Sequence, residues 1–413
     1  MSSLKQKPIA KEVVKTRKPV ITIQDFLRIN AKYKALSLEN GISFPKRSSS
    51  KAQKVILSVQ IAKPEEAQSI SEIFKHVYRN TYPYKELENV QEIRKMIEDP
   101  NYNWLLFKVD GKEAIGCAGV KFTASTKSIY LHGFAIKKEY QGNASLPKLI
   151  LAAWVVFLKK YEKKALMCFG EARSAHSKSQ SLSDYLGLKP IAFFPKKDIF
   201  FYREESEFLL ILYDEDLIAK YRRKETPKII PRVLPCYYFA RERYQLEFPE
   251  LSEHLTLDFD DNKIQAIKQN LVYQEENDTL GNTLVTISIS NSGAYVSFSH
   301  QPQVRIFEKI NYSVSNKEQL FVFIAEVKEQ MKKFNIRYLE LYASAYHPIH
   351  QAMLFNSGLK PFGYIPCFKY LKEENVFEDQ IVFIYYEGKV NGNLRMITET
   401  ENFLKVIKPS WDF

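Results

Sequence analysis

The sequence predicts a mixed α/β fold, that is, an α+β mixed sheet covered by helices. It predicts two copies of this fold. Segments with helical and strand periodicity alternate along the chain, which is typical of a central sheet with helices on its faces. With 413 residues, 45% of them apolar, the chain can form two hydrophobic cores. One motif also recurs after 171 residues, so we expect two domains of similar architecture.

The repeated motif reads "GEARSAHSKSQSLSDYLGLKPIAFFP" at 170–195 and "YASAYHPIHQAMLFNSGLKPFGYIP" at 342–366. Eight of the 25 positions in 171–195 are identical to the residue 171 positions later. His176 with His347 and Gln180 with Gln351 are two such pairs. A Gly-Leu-Lys-Pro turn follows in both copies. Because both copies keep these residues, we interpret them as structural, with the glycine ending a short helix in a left-handed conformation.

Composition shifts and proline positions divide the chain into four predicted segments. They are a basic, mobile N-terminal tail at 1–53, a first domain at 54–216, a basic proline-containing linker at 217–250 and a second domain at 251–413. Residues 1–52 contain 12 Lys or Arg and three Asp or Glu, so most of the net charge of +12 lies there. Such a tail can bind RNA or another acidic surface, although a solvated arm is the more common interpretation.

Cysteine spacing and hydropathy are informative about the cellular location of the protein. Cys117, Cys168, Cys236 and Cys367 are far apart and have neither zinc-ligand nor redox spacing, so we expect free thiols and no metal. The longest nearly apolar run, "LILAAWVVFL" at 149–158, is shorter than the ~20 residues of a membrane span. No signal-peptide core is present at the N-terminus. These features predict a cytoplasmic protein without a transmembrane segment.

The predicted elements follow one order in both halves. In the first half a helix at "PEEAQSISEIFKHVYRN" precedes a hairpin about Asp110-Gly111, the strand "SIYLHGFAIKKEY" and the buried helix "LPKLILAAWVVFLKKYEKK". The strand "ALMCFGEA", the repeated motif and "EFLLILYDE" follow. In the second half a hairpin about Asn291-Ser292-Gly293, a strand, a helix and two further strands repeat this order.

These residues resemble the GCN5-related N-acetyltransferase (GNAT) superfamily. The segment "FAIKKEYQGNASLPKLILA" is similar to the family's central strand, phosphate-binding loop and helix, and the repeated motif is similar to the elements that follow. The resemblance covers roughly 54–216 well and roughly 255–390 more weakly. It implies two tandem acyl-CoA N-acyltransferase folds, with acetyl-CoA or another acyl-CoA as cosubstrate.

The loop between strand and helix suits an anion. A diphosphate needs converging backbone N–H groups, and a helix start offers unpaired donors and a positive dipole end. Gly142 and Asn143 can adopt positive φ, and Ser145 can cap the helix. The predicted cofactor-binding residues here are Gln141, Gly142, Asn143, Ala144, Ser145 and Leu146, joined by His176 and Ser179 from the next helix. Ala144 and Leu146 depart from the family's small-residue pattern, so an ordinary strand-to-helix turn is the alternative.

The corresponding loop of the second half, "INYSVSNKEQ", has no glycine. Ser315 and Glu318 have capping-box spacing, so this helix can satisfy its own donors. We therefore expect a degenerate second copy that binds no acyl-CoA.

Acyl transfer to an amine requires a base, oxyanion donors and an acid for the leaving thiolate. By resemblance, the backbone of Phe134, Ala135 and Ile136 supplies the oxyanion donor and holds the pantetheine arm. Strand alternation predicts His132 on the same face as Phe134, which makes His132 a candidate base, with Glu171 as its competitor. The family's usual acid, a tyrosine, is replaced by Ser183; Tyr185 lies nearby at a different helical angle.

The acceptor side is predicted at "NTYPYKELEN", with Tyr82 and Tyr84 as pocket walls or as packing residues. The acceptor is a small-molecule amine or a protein. The sequence thus predicts an acyl-CoA-dependent N-acyltransferase that acts in the first domain. The alternative is an inactive scaffold or CoA-binding protein that engages a protein or nucleic-acid partner.

Overall fold

The computed structural model describes residues 21–44, 56–390 and 394–410. The helices are α1 (Ile23–Ile29), α2 (Ala67–Tyr78), α3 (Val90–Glu98), α4 (Leu146–Tyr161), α5 (Ser177–Tyr185), α6 (Leu234–Tyr244), α7 (Asp261–Gln269), α8 (Lys317–Lys333), α9 (Pro348–Asn356) and α10 (Thr398–Ile407). The strands are β1 (Ile42–Phe44), β2 (Leu57–Ile61), β3 (Tyr102–Val109), β4 (Glu113–Thr123), β5 (Ser128–Ile136), β6 (Met167–Arg173), β7 (Lys189–Phe200), β8 (Arg203–Tyr213), β9 (Lys228–Ile229), β10 (Glu250–Leu251), β11 (Leu271–Asn277), β12 (Thr283–Ile289), β13 (Tyr295–Gln301), β14 (Ile306–Ser313), β15 (Tyr338–Ser344), β16 (Lys360–Leu371) and β17 (Val376–Tyr386).

A single 15-stranded sheet runs through the molecule in the order β1-β2-β3-β4-β5-β6-β8-β7-β16-β17-β15-β14-β13-β12-β11. The order from β2 to β7 is repeated by β11 to β16 when the second half is followed from its own edge. The pairs β5–β6 and β14–β15 are parallel, whereas the neighbouring pairs on either side of them are antiparallel. The predicted mixed α/β fold is confirmed, and the predicted domain boundaries stay a prediction.

The two halves of the sheet meet where β7 and β16 pair antiparallel through Ala192 and Gly363, two residues that are 171 positions apart. Equivalent residues therefore face each other, as in a two-fold symmetric contact. A Cβ atom on Gly363 would lie 2.5 Å from Cβ of Ala192 and 2.7 Å from the carbonyl oxygen of Ile191. Only glycine permits this approach, because the backbone of the partner strand cannot yield.

Arg337 ties the second half to the first. Its side chain is buried; Nε donates to the carbonyl of Val304 at 2.8 Å, and Nη2 to the carbonyl of Lys197 at 2.7 Å. Nη1 donates to the carbonyl of Lys196 on the same strand, β7. These bonds fix the end of β7 against the second half.

The repeated motif is structural, as predicted. Side-chain Nε2 of Gln180 donates to the carbonyls of Arg173, His176 and Arg395, and its Oε1 accepts from Thr400 at 2.6 Å. The side chain of Gln351 likewise bridges carbonyl and N–H groups of neighbouring segments. The glycines that end the two short helices, Gly187 and Gly358, have φ of 89° and 98°. Both copies thus use the motif to close the chain onto the sheet.

The predicted mobile tail is wrong for residues 21–44. α1 packs on α4, β1 pairs antiparallel with β2, and Phe26, Leu27 and Ile42 are buried. The excess of Lys and Arg predicted a solvated arm, whereas the apolar residues of this segment pack against the first half. The rest of the predicted tail, 1–20 and 45–53, lies outside the described residues.

Residues 217–250, which the sequence predicts as a linker, are folded. α6 packs against β16 and buries Cys236, Tyr237 and Phe239. Pro231 and Pro235 start helical turns rather than marking an extended connection. In the described part of the chain, no helix combines the length and apolar character needed to cross a membrane.

Candidate functional site

The central strand of the first half is bulged. Its register with β4 shifts between the pairs Gly119–His132 and Cys117–Ala135, and Gly133 adopts φ of 60°. On the other side, pairing with β6 ends at Leu131 and Gly170. Among the described residues, no strand replaces β6 beyond that point. The end of β5 that holds the predicted Phe134, Ala135 and Ile136 thus has one side of its backbone without a strand partner.

The bulge overturns one prediction about His132. His132 contacts Trp104 on one face of the sheet, whereas Phe134 contacts Phe107 on the other. They lie on opposite faces because Gly133 interrupts the alternation on which the prediction rested. Nε2 of His132 is hydrogen-bonded to the Tyr102 hydroxyl, and burial among aromatic rings lowers the pKa of His132 to about 3. An imidazole in these surroundings is unsuited to accept a proton near neutral pH.

The predicted anion loop is mostly closed by its own hydrogen bonds. The N–H of Gln141 donates to Lys138, that of Asn143 to Tyr140, and that of Leu146 to Asn143. The N–H of Ser145 donates to Oδ1 of Asn143 at 3.0 Å. Ser145 itself makes no capping bond, and the Leu146 side chain is buried. The prediction that the loop amides converge on a bound diphosphate is therefore wrong for these four N–H groups.

Two loop amides remain available to a ligand, and polar side chains lie near them. The N–H groups of Gly142 and Ala144 have no hydrogen-bond partner among the described residues. Nothing lies within 4 Å of a Cβ built on Gly142, whose φ is 87°. Nζ of Lys178, at the start of α5, donates to Oε1 of Gln141 at 3.2 Å. This end of α4 keeps a smaller set of anion donors than the sequence predicted.

The other predicted residues of α5 are divided between the two sides of the helix. Nδ1 of His176 is buried without a partner among the described residues, and burial lowers the pKa of His176. Ser179 donates back to the carbonyl of Arg173 at 3.5 Å. Tyr185 is half exposed and lies near Tyr33 of the N-terminal segment. The structure thus places Tyr185 beside the N-terminal segment, and its catalytic role stays a prediction.

Glu171 lies in a cluster of buried charged groups that both halves build, which we call the carboxylate cluster. Nζ of Lys197 lies 2.9 Å from Glu171, 3.3 Å from Glu340 and 3.7 Å from Glu308. The Tyr84 hydroxyl lies 3.2 Å from Asp198 and 3.1 Å from Glu308. The members of the cluster are Tyr84, Glu171, Lys197, Asp198, Glu207, Glu308 and Glu340.

Two predicted residues line this cluster from the loop after α2. Tyr84 donates into it directly, and Tyr82 packs between Tyr78 and Phe200, with ring centroids 4.5 and 5.9 Å away. Glu171 comes immediately after Gly170, where β5 and β6 separate. The predicted acceptor walls and the predicted base Glu171 therefore lie together beside the opening of the sheet.

Burial and mutual repulsion govern the protonation of the cluster. Burial, reinforced by Glu308, raises the pKa of Asp198 to about 8. Burial together with Asp198 and Glu171 raises the pKa of Glu207 well above its ordinary value. Burial disfavours the Lys197 ammonium, but Glu171, Glu340 and Glu308 outweigh it and raise the pKa of Lys197. At neutral pH the cluster therefore holds protons on carboxyl groups that would be ionised in water.

Sequence reasoning missed Lys197, Asp198, Glu207, Glu308 and Glu340. Charged residues inside apolar runs such as "FFPKKDIFF", "RIFEKI" and "YLELYA" are a signal for them, because a charge on a buried strand needs a partner. Their common location was not visible, since it depends on how the halves meet. No group of three or more His, Cys, Asp or Glu in the described ranges is placed to hold a metal ion.

No protein-family model and no curated protein matches this sequence. Solved structures do. A spermidine N-acetyltransferase from Vibrio cholerae is 15% identical with a TM-score of 0.33, covering 39% of this chain and 95% of its own. The putative acetyltransferase yncA from Salmonella typhimurium, solved with acetyl-CoA, is 16% identical with a TM-score of 0.34 over 38% and 95%. A probable GNAT-family acetyltransferase from Chromobacterium violaceum is 11% identical with a TM-score of 0.30 over 38% and 83%.

These proteins are acetyltransferases, and one carries the name of the superfamily that the sequence motifs resemble. Each match spans about two fifths of this chain. At such identities and TM-scores the likeness carries no information about substrate or activity.

Proposed function

We propose that this chain is an acyl-CoA-dependent N-acyltransferase, with acetyl-CoA as the simplest donor, whose reaction takes place in the first half. The observation that supports this most is the opening between β5 and β6, which begins after Leu131 and Gly170. It leaves a bulged strand end beside Glu171 and Tyr84. Thioester and amine have to meet at such a place, where backbone donors and a base are within reach of each other.

The carboxylate cluster supplies the base in this proposal. Transfer to an amine requires that an ammonium loses its proton first, and a base works best when its pKa is near the working pH. Asp198, with a pKa of about 8, meets that condition, and the carboxylate of Glu171 lies next to it around Lys197. Backbone N–H groups of 134–136 would donate to the carbonyl oxygen.

The donor would be held at the start of α4 and α5. Acetyl-CoA, when bound, supplies the activated acyl group. The N–H groups of Gly142 and Ala144, the ammonium of Lys178 and the unpartnered Nδ1 of His176 are the donors available for its phosphates and pantetheine. Fewer loop amides than expected point outward, so we expect modest affinity.

The second half is proposed to bind no acyl-CoA. Asn316, rather than the predicted Ser315, caps α8, since its Oδ1 accepts from the N–H of Gln319 at 3.0 Å. Oε1 of Gln319 accepts from the N–H of Ser315 at 2.7 Å. The helix start thus satisfies its donors with side chains of the same segment. The sequence predicts such capping, but by Ser315 and Glu318.

The occupied loop favours a second candidate function, a scaffold without catalysis. Four of the six predicted amides are engaged, and Leu146 is buried where a small residue is expected. Thermal stability separates the two functions. Acetyl-CoA at 100 times its dissociation constant adds about 2.7 kcal/mol to the stability of a binding protein and nothing to that of a scaffold.

Other predictions about partners and location stay predictions. The proposed RNA or acidic partner would engage the basic N-terminal segment 1–53, of which 1–20 and 45–53 lie outside the described residues. The four cysteines are buried free thiols, which is compatible with the predicted cytoplasmic location. A protein acceptor stays an alternative to a small amine.

Replacing Gly133 by alanine is expected to weaken acetyl-CoA binding by at least about tenfold. A Cβ at this position would lie 2.9 Å from the buried Trp104 ring and 3.2 Å from Phe74, so the bulge has to shift. Gly111→Ala is the matched control, because Gly111 has a similar φ of 69° and nothing within 4 Å. Isothermal titration measures both affinities. Equal affinities in the two variants would show that the bulge does not form the donor site.

A further inference from the structure

The carboxylate cluster is not needed by the duplicated fold. Strand registers relate β6 and β7 to β15 and β16 at an interval of 171, and β8 to β17 at 173. At the positions of Glu171, Lys197, Asp198 and Glu207 the second half has, in that order, Tyr342, Phe368, Lys369 and Gln380. A fold requirement would appear in both copies. The charged set therefore serves a purpose that belongs to this one location.

The cluster holds more negative than positive groups. The cluster has five carboxyl groups and the single ammonium of Lys197, which lies within 4 Å of three of them. Asp198, Glu207, Glu308 and Glu340 are each more than nine-tenths buried. Nearby Arg173 offsets part of the negative charge, but its guanidinium forms a two-bond pair with Glu205 at 2.7 Å. Uncompensated buried charge is strongly unfavourable, so the cluster has to bind protons or a cation.

Glu207 is the carboxylate of the cluster with the fewest partners. Its side chain is 4% exposed, yet no hydrogen bond or ion pair reaches its carboxylate from the described residues. Burial and the charges of Asp198 and Glu171 raise the pKa of Glu207, and they outweigh the opposite effect of Lys197 and Arg173. In the second half the equivalent Gln380 is neutral and donates to Glu378 at 3.2 Å. An acceptor group buried in this way, without a donor, points to a ligand that brings one.

We propose that the two halves together bind a small organic ammonium ion in the carboxylate cluster, with Glu308 and Glu340 of the second half completing the site. Calling this ammonium the acceptor of acyl transfer rests on the proposed function; its binding does not. The second half then has a role of its own, since it carries two of the carboxylates that the cation needs.

The chemistry of the walls favours an alkylammonium over a metal ion. In the described part of the chain, no set of His, Cys, Asp or Glu has metal-binding geometry. The rings of Tyr82, Tyr84, Tyr130 and Tyr342 stand around the carboxylates, and their faces attract organic cations. Glu207 and Asp198 lie too deep for contact with the surface of a folded protein, so the ligand has to be small and narrow.

The test is titration with 1,4-diaminobutane, with the neutral 1,4-butanediol as the matched ligand, in the absence of acetyl-CoA. We expect the wild-type protein to bind the diamine and not the diol. Glu308→Gln and Glu340→Gln should each weaken diamine binding at least about tenfold, because each removes a carboxylate from a buried cation. Glu329→Gln on α8, whose side chain is 63% exposed, should leave the affinity unchanged.

Stability distinguishes loss of the site from loss of the fold. Because Glu207→Gln removes repulsion, it should raise the melting temperature of the ligand-free protein while it abolishes diamine binding. Equal binding of diamine and diol, unchanged affinity in both Glu308→Gln and Glu340→Gln, or binding only of a lysine-containing peptide would each overturn the proposal. Since no acyl donor is present, failure of acyl transfer would not affect this result.

Discussion

Replacing Arg222 by methionine is expected to lower the free energy of unfolding by about 3–5 kcal/mol. Nε and Nη2 of Arg222 donate to the fully buried carboxylate of Asp379 at 2.6–3.0 Å, and Nη1 donates to Glu247. Asp379 also accepts from the Tyr364 hydroxyl and the Cys367 N–H, so it cannot move to water. Without the guanidinium a carboxylate stays buried and unpaired. Urea unfolding measures the loss.

Lys220→Met is the control for this prediction. Lys220 is four residues from Asp216 at 2.9 Å on the same short helical turn, with 64% of its side chain exposed. A pair so exposed contributes little to stability. A similar loss in both variants would mean that Arg222 does not hold the segment after β8 against the second half.

Replacing Asp198 by asparagine is expected to raise stability at pH 8 and to flatten its dependence on pH. The folded-state pKa of Asp198 is raised from 3.8 to about 8 by burial and by Glu308, with Glu171 acting in the same sense and Lys197 and the Tyr84 hydroxyl in the opposite one. Between those values the folded protein binds a proton that the unfolded chain has lost. Stability from this group is therefore full below pH 3.8 and falls, by at most about 1.4 kcal/mol per pH unit, as pH rises towards 8.

Unfolding at several values between about pH 4 and pH 9 tests this sign. The wild-type protein should lose stability towards high pH more steeply than Asp198→Asn, and the two curves should converge near pH 4. Asp258→Asn, at an exposed position, should follow the wild-type curve. If Asp198→Asn is less stable than wild type at pH 8, the raised pKa and the account of the crowded cluster are wrong.

Local patterns predicted the parts of the fold that depend on neighbouring residues. Asp110 and Gly111 form the expected turn with φ of 50° and 69°, and Asn291 turns the second hairpin with φ of 59°. The interval of 171 residues predicts a structural role for Gln180 and Gln351, and their hydrogen bonds agree with it. Such features follow from turn chemistry and from a comparison within one chain.

Features that depend on strand register could not be predicted in this way. The bulge at Gly133 places His132 and Phe134 on opposite faces of the sheet, and no sequence pattern predicts this bulge. Glu171 and Glu340 meet around Lys197 only because β7 and β16 join the two halves of the sheet. The loop at 141–146 has the residues of an anion site, yet its amides find closer partners within the loop, because short turns satisfy their own donors first.

The most direct test of the proposed function is a single-turnover reaction of the wild-type protein with acetyl-CoA and 1,4-diaminobutane. We expect one thiol released and one N-acetylated amine formed per turnover, as detected by mass spectrometry, and a loss of at least about a hundredfold in rate in Glu171→Gln. Acetyl-CoA that neither stabilises the protein nor transfers its acetyl group to this or any other amine would contradict the proposed function.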